Sequence, residues 1–142
     1  MSMLTEPVNE ENMYETLNGL LFSDEKIETA IYCTFRQTGF FASNKSIIYG
    51  YVALTSAGRL IGHKITLIDS VDFAFEMDKL TKITVKKSLF GYYTVHTFFE
   101  TPEKQQLKFL LLRKIYGSNK FPNQTKNADI MLDLLKKYEL SY

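Results

Sequence analysis

The stretch YVALTSAGRLI, residues 51–61, decides how the rest of the chain is read. Tyr51, Val52, Ala53 and Leu54 lead to Thr55. Ser56, Ala57 and Gly58 follow, and Arg59 opens a second apolar run. Two readings compete. Gly58 and Arg59 could form a ligand loop, with the glycine giving backbone access and the arginine holding an anion. Alternatively, the three small residues join two strands. A three-residue hairpin loop commonly pairs a type I turn with a left-handed glycine that makes a bulge, and Gly58 stands at that position. The second reading needs no pocket, so Gly58 and Arg59 are assigned to a structural turn.

Outward from this turn the hydrophobic period stays at two. Upstream, Ile27, Thr29, Ile31, Cys33 and Phe35 alternate with Glu28, Ala30, Tyr32, Thr34 and Arg36. That pattern predicts a long, half-buried strand. Strands two and three are expected at 47–55 and 59–67. Val71, Phe73, Phe75 and Met77 mark a fourth, and 82–87 a fifth with Ile83 and Val85 inward. Tyr93, Val95, Thr97 and Phe99 mark a sixth, and Leu107, Phe109 and Leu111 a seventh. Residues 88–91 and 101–104 carry turn chemistry.

The period changes at both ends. Met13, Leu17, Leu20 and Leu21 recur at helical spacing over 9–22, with Asn9 placed to cap. Ala128, Met131, Leu132, Leu135 and Tyr138 form one stripe near 126–140, with Thr125 or Asn127 as its cap. The expected fold is mainly β with flanking helices. It is a partly open, seven-stranded antiparallel barrel or sandwich closed by a C-terminal helix. One domain is expected, with a helical extension over 1–24, strands over 26–112 and a capping helix over 125–140.

The residues also resemble a known family. Gly50-Tyr51-Val52-Ala53-Leu54-Thr55 followed by Arg59-Leu60-Ile61 is similar to a strand–turn–strand of bacterial pleckstrin-homology-like and GRAM-like domains. Glu28 to Tyr32, the stretch from Gly39 through Phe40 and Phe41, and Leu80 to Lys87 extend the likeness over roughly 15–140. The family commonly has two residues between the threonine and the arginine; this chain has three. The resemblance implies adaptor or assembly roles.

Composition narrows the function classes. The chain has 142 residues and a net charge of +1. Residues 1–30 carry seven acids and one base, whereas 79–120 carry nine bases and two acids, Glu100 and Glu103. A basic face is therefore expected, with Lys82, Lys86, Lys87 and Lys108 as its candidates, either open to an anionic partner or masked by the acidic N-terminus. The overall charge argues against nucleic acid as partner. No basic n-region with an apolar h-region opens the chain, the longest apolar run is 109–112, and there is one cysteine. A cytoplasmic setting without a transmembrane segment is expected.

No constellation for catalysis stands out. His63 and His96 fall on different strands, without acids or cysteines at metal-ligand spacing. Cys33 sits on the inward register, as a small core hydrophobe does. The chain is expected to be non-enzymatic, with no cofactor, metal or catalytic residues. A binding or assembly module, meeting a protein partner or another copy of itself, is the first expectation. Outward aromatics at Tyr49, Tyr51, Tyr92 and Phe98 would supply contact area for it. The alternative is a peripheral binder of anionic lipid. It would use the loop between strands one and two, where Phe40 and Phe41 could wedge between headgroups flanked by Arg36 and Lys45.

Overall fold

Thr55 explains why the chain reverses where it does. Its Oγ1 accepts from the backbone N–H groups of Ala57 (3.3 Å) and Arg59 (3.2 Å), and Gly58 N donates to Thr55 O at 3.1 Å. Gly58 has φ +73°, which only glycine adopts cheaply. The turn therefore joins β2 (Ile48–Thr55) to β3 (Arg59–Ile65) in an antiparallel ladder from Leu54↔Leu60 to Tyr49↔Ile65.

The computed structural model describes residues 7–35, 48–66, 69–115 and 119–140. Around that hairpin stand β1 (Ile27–Phe35), β4 (Ser70–Glu76), β5 (Leu80–Lys87), β6 (Tyr93–Phe99) and β7 (Gln106–Leu111). Helix α1 (Glu10–Asn18) precedes them and α2 (Gln124–Leu140) follows; a 3-10 turn, Met77–Lys79, links β4 to β5. The strand order is β4-β3-β2-β1-β7-β6-β5, antiparallel throughout. This is an open seven-stranded sheet flanked by two helices, mainly β as expected. The predicted strands agree with the observed ones to within about two residues. No helix among the described residues is long and apolar enough to cross a membrane.

The sheet bends so that its inner face encloses the main core. Ile31, Cys33, Val52, Leu60, Val95, Phe109 and Leu111 meet Ala128, Met131 and Leu135 of α2 there, all fully buried. Phe75 stacks on Phe99 at 4.4 Å between ring centroids, tying β4 to β6 across the interior. Two glycines permit close approach of neighbouring groups on these strands. A Cβ at Gly50 would lie 1.9 Å from His63 O and 2.9 Å from the Phe35 ring; one at Gly62 would lie 2.1 Å from the Phe73 ring. The backbone of β3 with the Phe35 ring at Gly50, and the Phe73 ring at Gly62, occupy the space those side chains would need.

A second core lies on the opposite face of β1, β2 and β3. Met13 and Leu17 of α1 pack there with Ala30, Tyr51, Ala53, Ile61 and Phe121. This corrects two expectations. Strand β1 is buried on both faces, because α1 covers the side its alternation assigned to solvent. A register shift between Ile27 and Thr29 also moves Ile27 onto the α1 side. Tyr51, expected outward, is fully buried, and its hydroxyl donates to Asn12 Oδ1 at 2.7 Å.

The helix ends need adjusting too. Asn9 caps α1 as predicted, its side chain accepting from Asn12 N at 2.7 Å. The helix stops at Asn18, short of the predicted residue 22, and Leu20 and Leu21 pack on the second core from beyond it. Neither Thr125 nor Asn127 caps α2, since both fall inside its first turn. Thr125 Oγ1 donates to Arg113 O (2.6 Å), and Asn127 Nδ2 donates to the Tyr14 hydroxyl (3.1 Å). Gln124 enters a buried position where the β1–β7 ladder ends. Its amide accepts from Tyr32 N (3.1 Å) and donates to Tyr32 O (2.9 Å) and Leu112 O (2.7 Å), standing in for one more peptide unit.

Candidate functional site

Arg59 is committed to the structure. Its Nε donates to Glu25 Oε2 at 2.9 Å, Nη2 donates to Glu25 Oε1, and Nη2 also reaches Leu20 O at 2.9 Å. Thr55 Oγ1 donates to the same carboxylate, as does Phe22 N at 2.9 Å. The Arg59 hydrogen bond, with those from Thr55 and Phe22, outweighs burial and pulls the Glu25 carboxyl down to about 2. The guanidinium also lies 3.9 Å from the Phe22 ring centroid. No donor set opens toward a ligand, and the turn and the approach to β1 are locked together.

The two histidines and the cysteine are likewise accounted for. His63 Nδ1 lies 2.6 Å from Asp72 Oδ1, and His96 Nε2 lies 2.6 Å from Gln106 Oε1. Cys33 is buried, and desolvation pushes its thiol well above the ordinary value. Among the described residues no group of three or more His, Cys, Asp or Glu could hold a metal.

Arg36, Phe40, Phe41 and Lys45, the candidate lipid loop, lie outside the described residues. The basic candidates lie within them, and the ladder sorts them. Lys82, Thr84 and Lys86 alternate along β5 and stand opposite Phe98, His96 and Thr94 of β6; His96 in turn faces Lys108. Lys82, Lys86 and Lys108 therefore share the outward face. Lys82 Nζ lies 5.7 Å from the Phe98 ring centroid, and the His96 ring stacks on Phe98 at 4.2 Å. Lys87 has the opposite parity. It pairs with Tyr93 and belongs to the face that α2 covers. The acidic helix α1 packs on β1, β2 and β3.

Between the two lysine groups the hairpin ends in Ser88-Leu89-Phe90-Gly91. Ser88 builds the reversal: its N–H donates to Tyr92 O (2.8 Å), and its Oγ accepts from Phe90 N (3.1 Å) and Tyr92 N (3.3 Å). Gly91 completes it with φ +89°. The polar and flexible residues are consumed by the turn, so Leu89 and Phe90 are left at the tip. Leu89 is 100% exposed and Phe90 87%. Single exposed apolar residues are ordinary on protein surfaces. An adjacent pair on a tip, with Lys86 and Lys87 beside it, is a different object. Arg113 and Lys114 come close to the base of the tip, beside Gly91 and Tyr92.

The sequence pattern does not mark this tip, because Leu89 and Phe90 stand between turn formers. The available signal was the mismatch itself, two large apolar residues inside a four-residue loop that lysines precede.

No protein-family model matches the chain, and no curated protein matches it. Among solved structures it is similar to the hSac2 domain from human phosphoinositide phosphatase Sac2. The TM-score is 0.54 at 13% identity, over 95% of this chain and 83% of that one. At that identity the likeness concerns the fold.

Proposed function

We propose that this chain is a non-enzymatic binding module of pleckstrin-homology-like type that docks on anionic membrane surfaces through its β5–β6 hairpin. The observation that carries the reading is the exposed Leu89–Phe90 tip flanked by lysines. Burying each such side chain is worth roughly 1.5–3 kcal/mol, and each lysine near an anionic surface about 1 kcal/mol. Neither source alone anchors a protein firmly; together they make a reversible peripheral contact. The similar hSac2 domain comes from a protein named for phosphoinositides, which supports a lipid-facing role. A cytoplasmic setting fits, because anionic lipids concentrate in that leaflet.

Flotation with phosphatidylcholine vesicles containing phosphatidylserine tests the reading. The wild-type chain is expected to float at low salt, and Leu89→Ser/Phe90→Ser to stay at the bottom with its fold unchanged. The chain has no tryptophan, so Phe90→Trp adds one fluorophore whose emission should shift to the blue on vesicles. Flotation untouched by the double change, or an unshifted emission, would sink the reading.

Self-association is the competing reading, and β4 favours it. Within the described sheet β4 is a terminal strand paired only to β3, and such an edge can accept a strand from a second copy. Light scattering decides this one: a monomer at all concentrations removes it.

A further inference from the structure

The outward lysines stand on a face with no counter-charge of its own. Residues 82, 84 and 86 of β5 pair with 98, 96 and 94 of β6, and these in turn with 106, 108 and 110 of β7; no acid stands at any of these positions. Lys82, Lys86 and Lys108 enter no ion pair among the described residues. Lys87 is not of this group and lies with Arg113 and Lys136 beside α2. The opposite charge is carried by α1. Glu10 is held by Asn123, whose backbone N and Nδ2 donate to it at 3.0 and 2.9 Å, and Glu25 is held by Arg59. Glu11 and Glu15 are exposed and enter no ion pair among the described residues. They stand four apart on one helix face, where like charges repel. Within one chain α1 packs on β1, β2 and β3, and no ion pair among the described residues joins its acids to the lysines.

We propose that the lysine face binds helix α1 of a second copy of this chain, joining copies head to tail. The spacings match. Lys82 pairs with Phe98 and Lys108 with His96, so the two lysines lie on neighbouring rungs of the ladder. Such rungs are about 7 Å apart along a strand, and a helix advances about 6 Å over four residues. A helix laid over β6 therefore brings Glu11 to one rung and Glu15 to the next, while the lysines reach it from β5 and β7 on flexible stems. Phe98 and His96, half-buried and stacked at 4.2 Å, form the floor beneath it. The lysines relieve the repulsion between Glu11 and Glu15, and the acids supply the counter-charge that the sheet lacks. The two surfaces belong to different parts of the chain, so the contact is heterologous. The end copies keep one free lysine face and one free helix, and the assembly grows as a chain or closes into a ring. The contact uses neither the Leu89–Phe90 tip nor the β4 edge, and so goes beyond both readings above.

Sedimentation of the full chain tests this. At about 100 μM protein the wild-type chain is expected to form species larger than the monomer in about 20 mM salt and to be monomeric in about 0.5 M salt. Lys82→Glu/Lys108→Glu and Glu11→Lys/Glu15→Lys should each weaken association by about tenfold or more. Mixed in equal amounts, the two variants should associate as tightly as the wild type, because each reversed surface then meets its complement. Circular dichroism checks that both are folded, and Lys82→Gln/Lys108→Gln gives the same loss without touching α1. A wild-type chain that stays monomeric at low salt overturns the proposal, as does a mixture no more associated than its components. Association that salt does not weaken and both variants retain is strand pairing at β4, and it overturns the proposal too. So does binding of a single-stranded oligonucleotide through Lys82 and Lys108 without self-association, which gives the face to another partner. Vesicle flotation reports on the tip alone, so a failure of membrane docking leaves this contact standing.

Discussion

Glu25 gathers Arg59, Thr55 and the Phe22 amide on one buried carboxylate, and its titration can be read as stability. Its carboxyl sits at about 2 in the fold against an ordinary 4.5. A depressed carboxylate contributes fully above its unfolded value, and the contribution is lost as pH falls toward the folded one. The wild-type chain should therefore lose stability progressively from about pH 4.5 down to pH 2. Glu25→Gln leaves the Arg59 charge without its partner and should cost about 3 kcal/mol at pH 7, with a flatter profile over the acid range. Urea unfolding of both chains at several pH values checks this; parallel pH profiles would rule out Glu25 as the titrating group. Sequence periodicity could not reveal the pair, because the two residues are far apart in the chain and only the fold brings them together.

At the scale of elements, the glycines near the opening hairpin give opposite expectations. Gly58→Ala meets nothing within 4 Å but keeps a left-handed backbone, so it should cost about 1 kcal/mol. Gly50→Ala drives a Cβ into the backbone of β3 and the Phe35 ring, and should cost about 3 kcal/mol or more. Urea midpoints of the two variants give the ranking, and equal losses would overturn the argument from close approach. These elements also show what sequence can tell. Alternation at Phe73 and Phe75, or at Tyr93, Val95, Thr97 and Phe99, located strands because those side chains meet the core, whereas Val71, expected on the same face, is 52% exposed. On β1 alternation misled, because Ala30 and Tyr32 are covered by α1 and Phe121 rather than by solvent. The candidate lysines show the same limit. Composition located a basic segment, but a strand's parity splits Lys87 from Lys86, and only the packed helix α2 supplies Arg113 and Lys87 with Lys136.

Over the whole molecule, charge and apolar surface are distributed unevenly. The acidic helix α1 rests on one face of β1, β2 and β3, while the lysines of β5 and the exposed hairpin tip belong to the other end of the strand order. Strand β1 sits at the centre of that order, between β2 and β7, and is the wall shared by both cores. Melting either core exposes one side of the same strand and releases ladders on both of its edges. Partial unfolding is thereby penalised twice, so the molecule should open as a unit. Calorimetry should give one transition whose measured and van't Hoff enthalpies agree. A separate early melting of α1 would show instead that the two cores fail independently. The double burial of one strand thus becomes a statement about cooperativity: a wall common to two rooms cannot come down for only one of them.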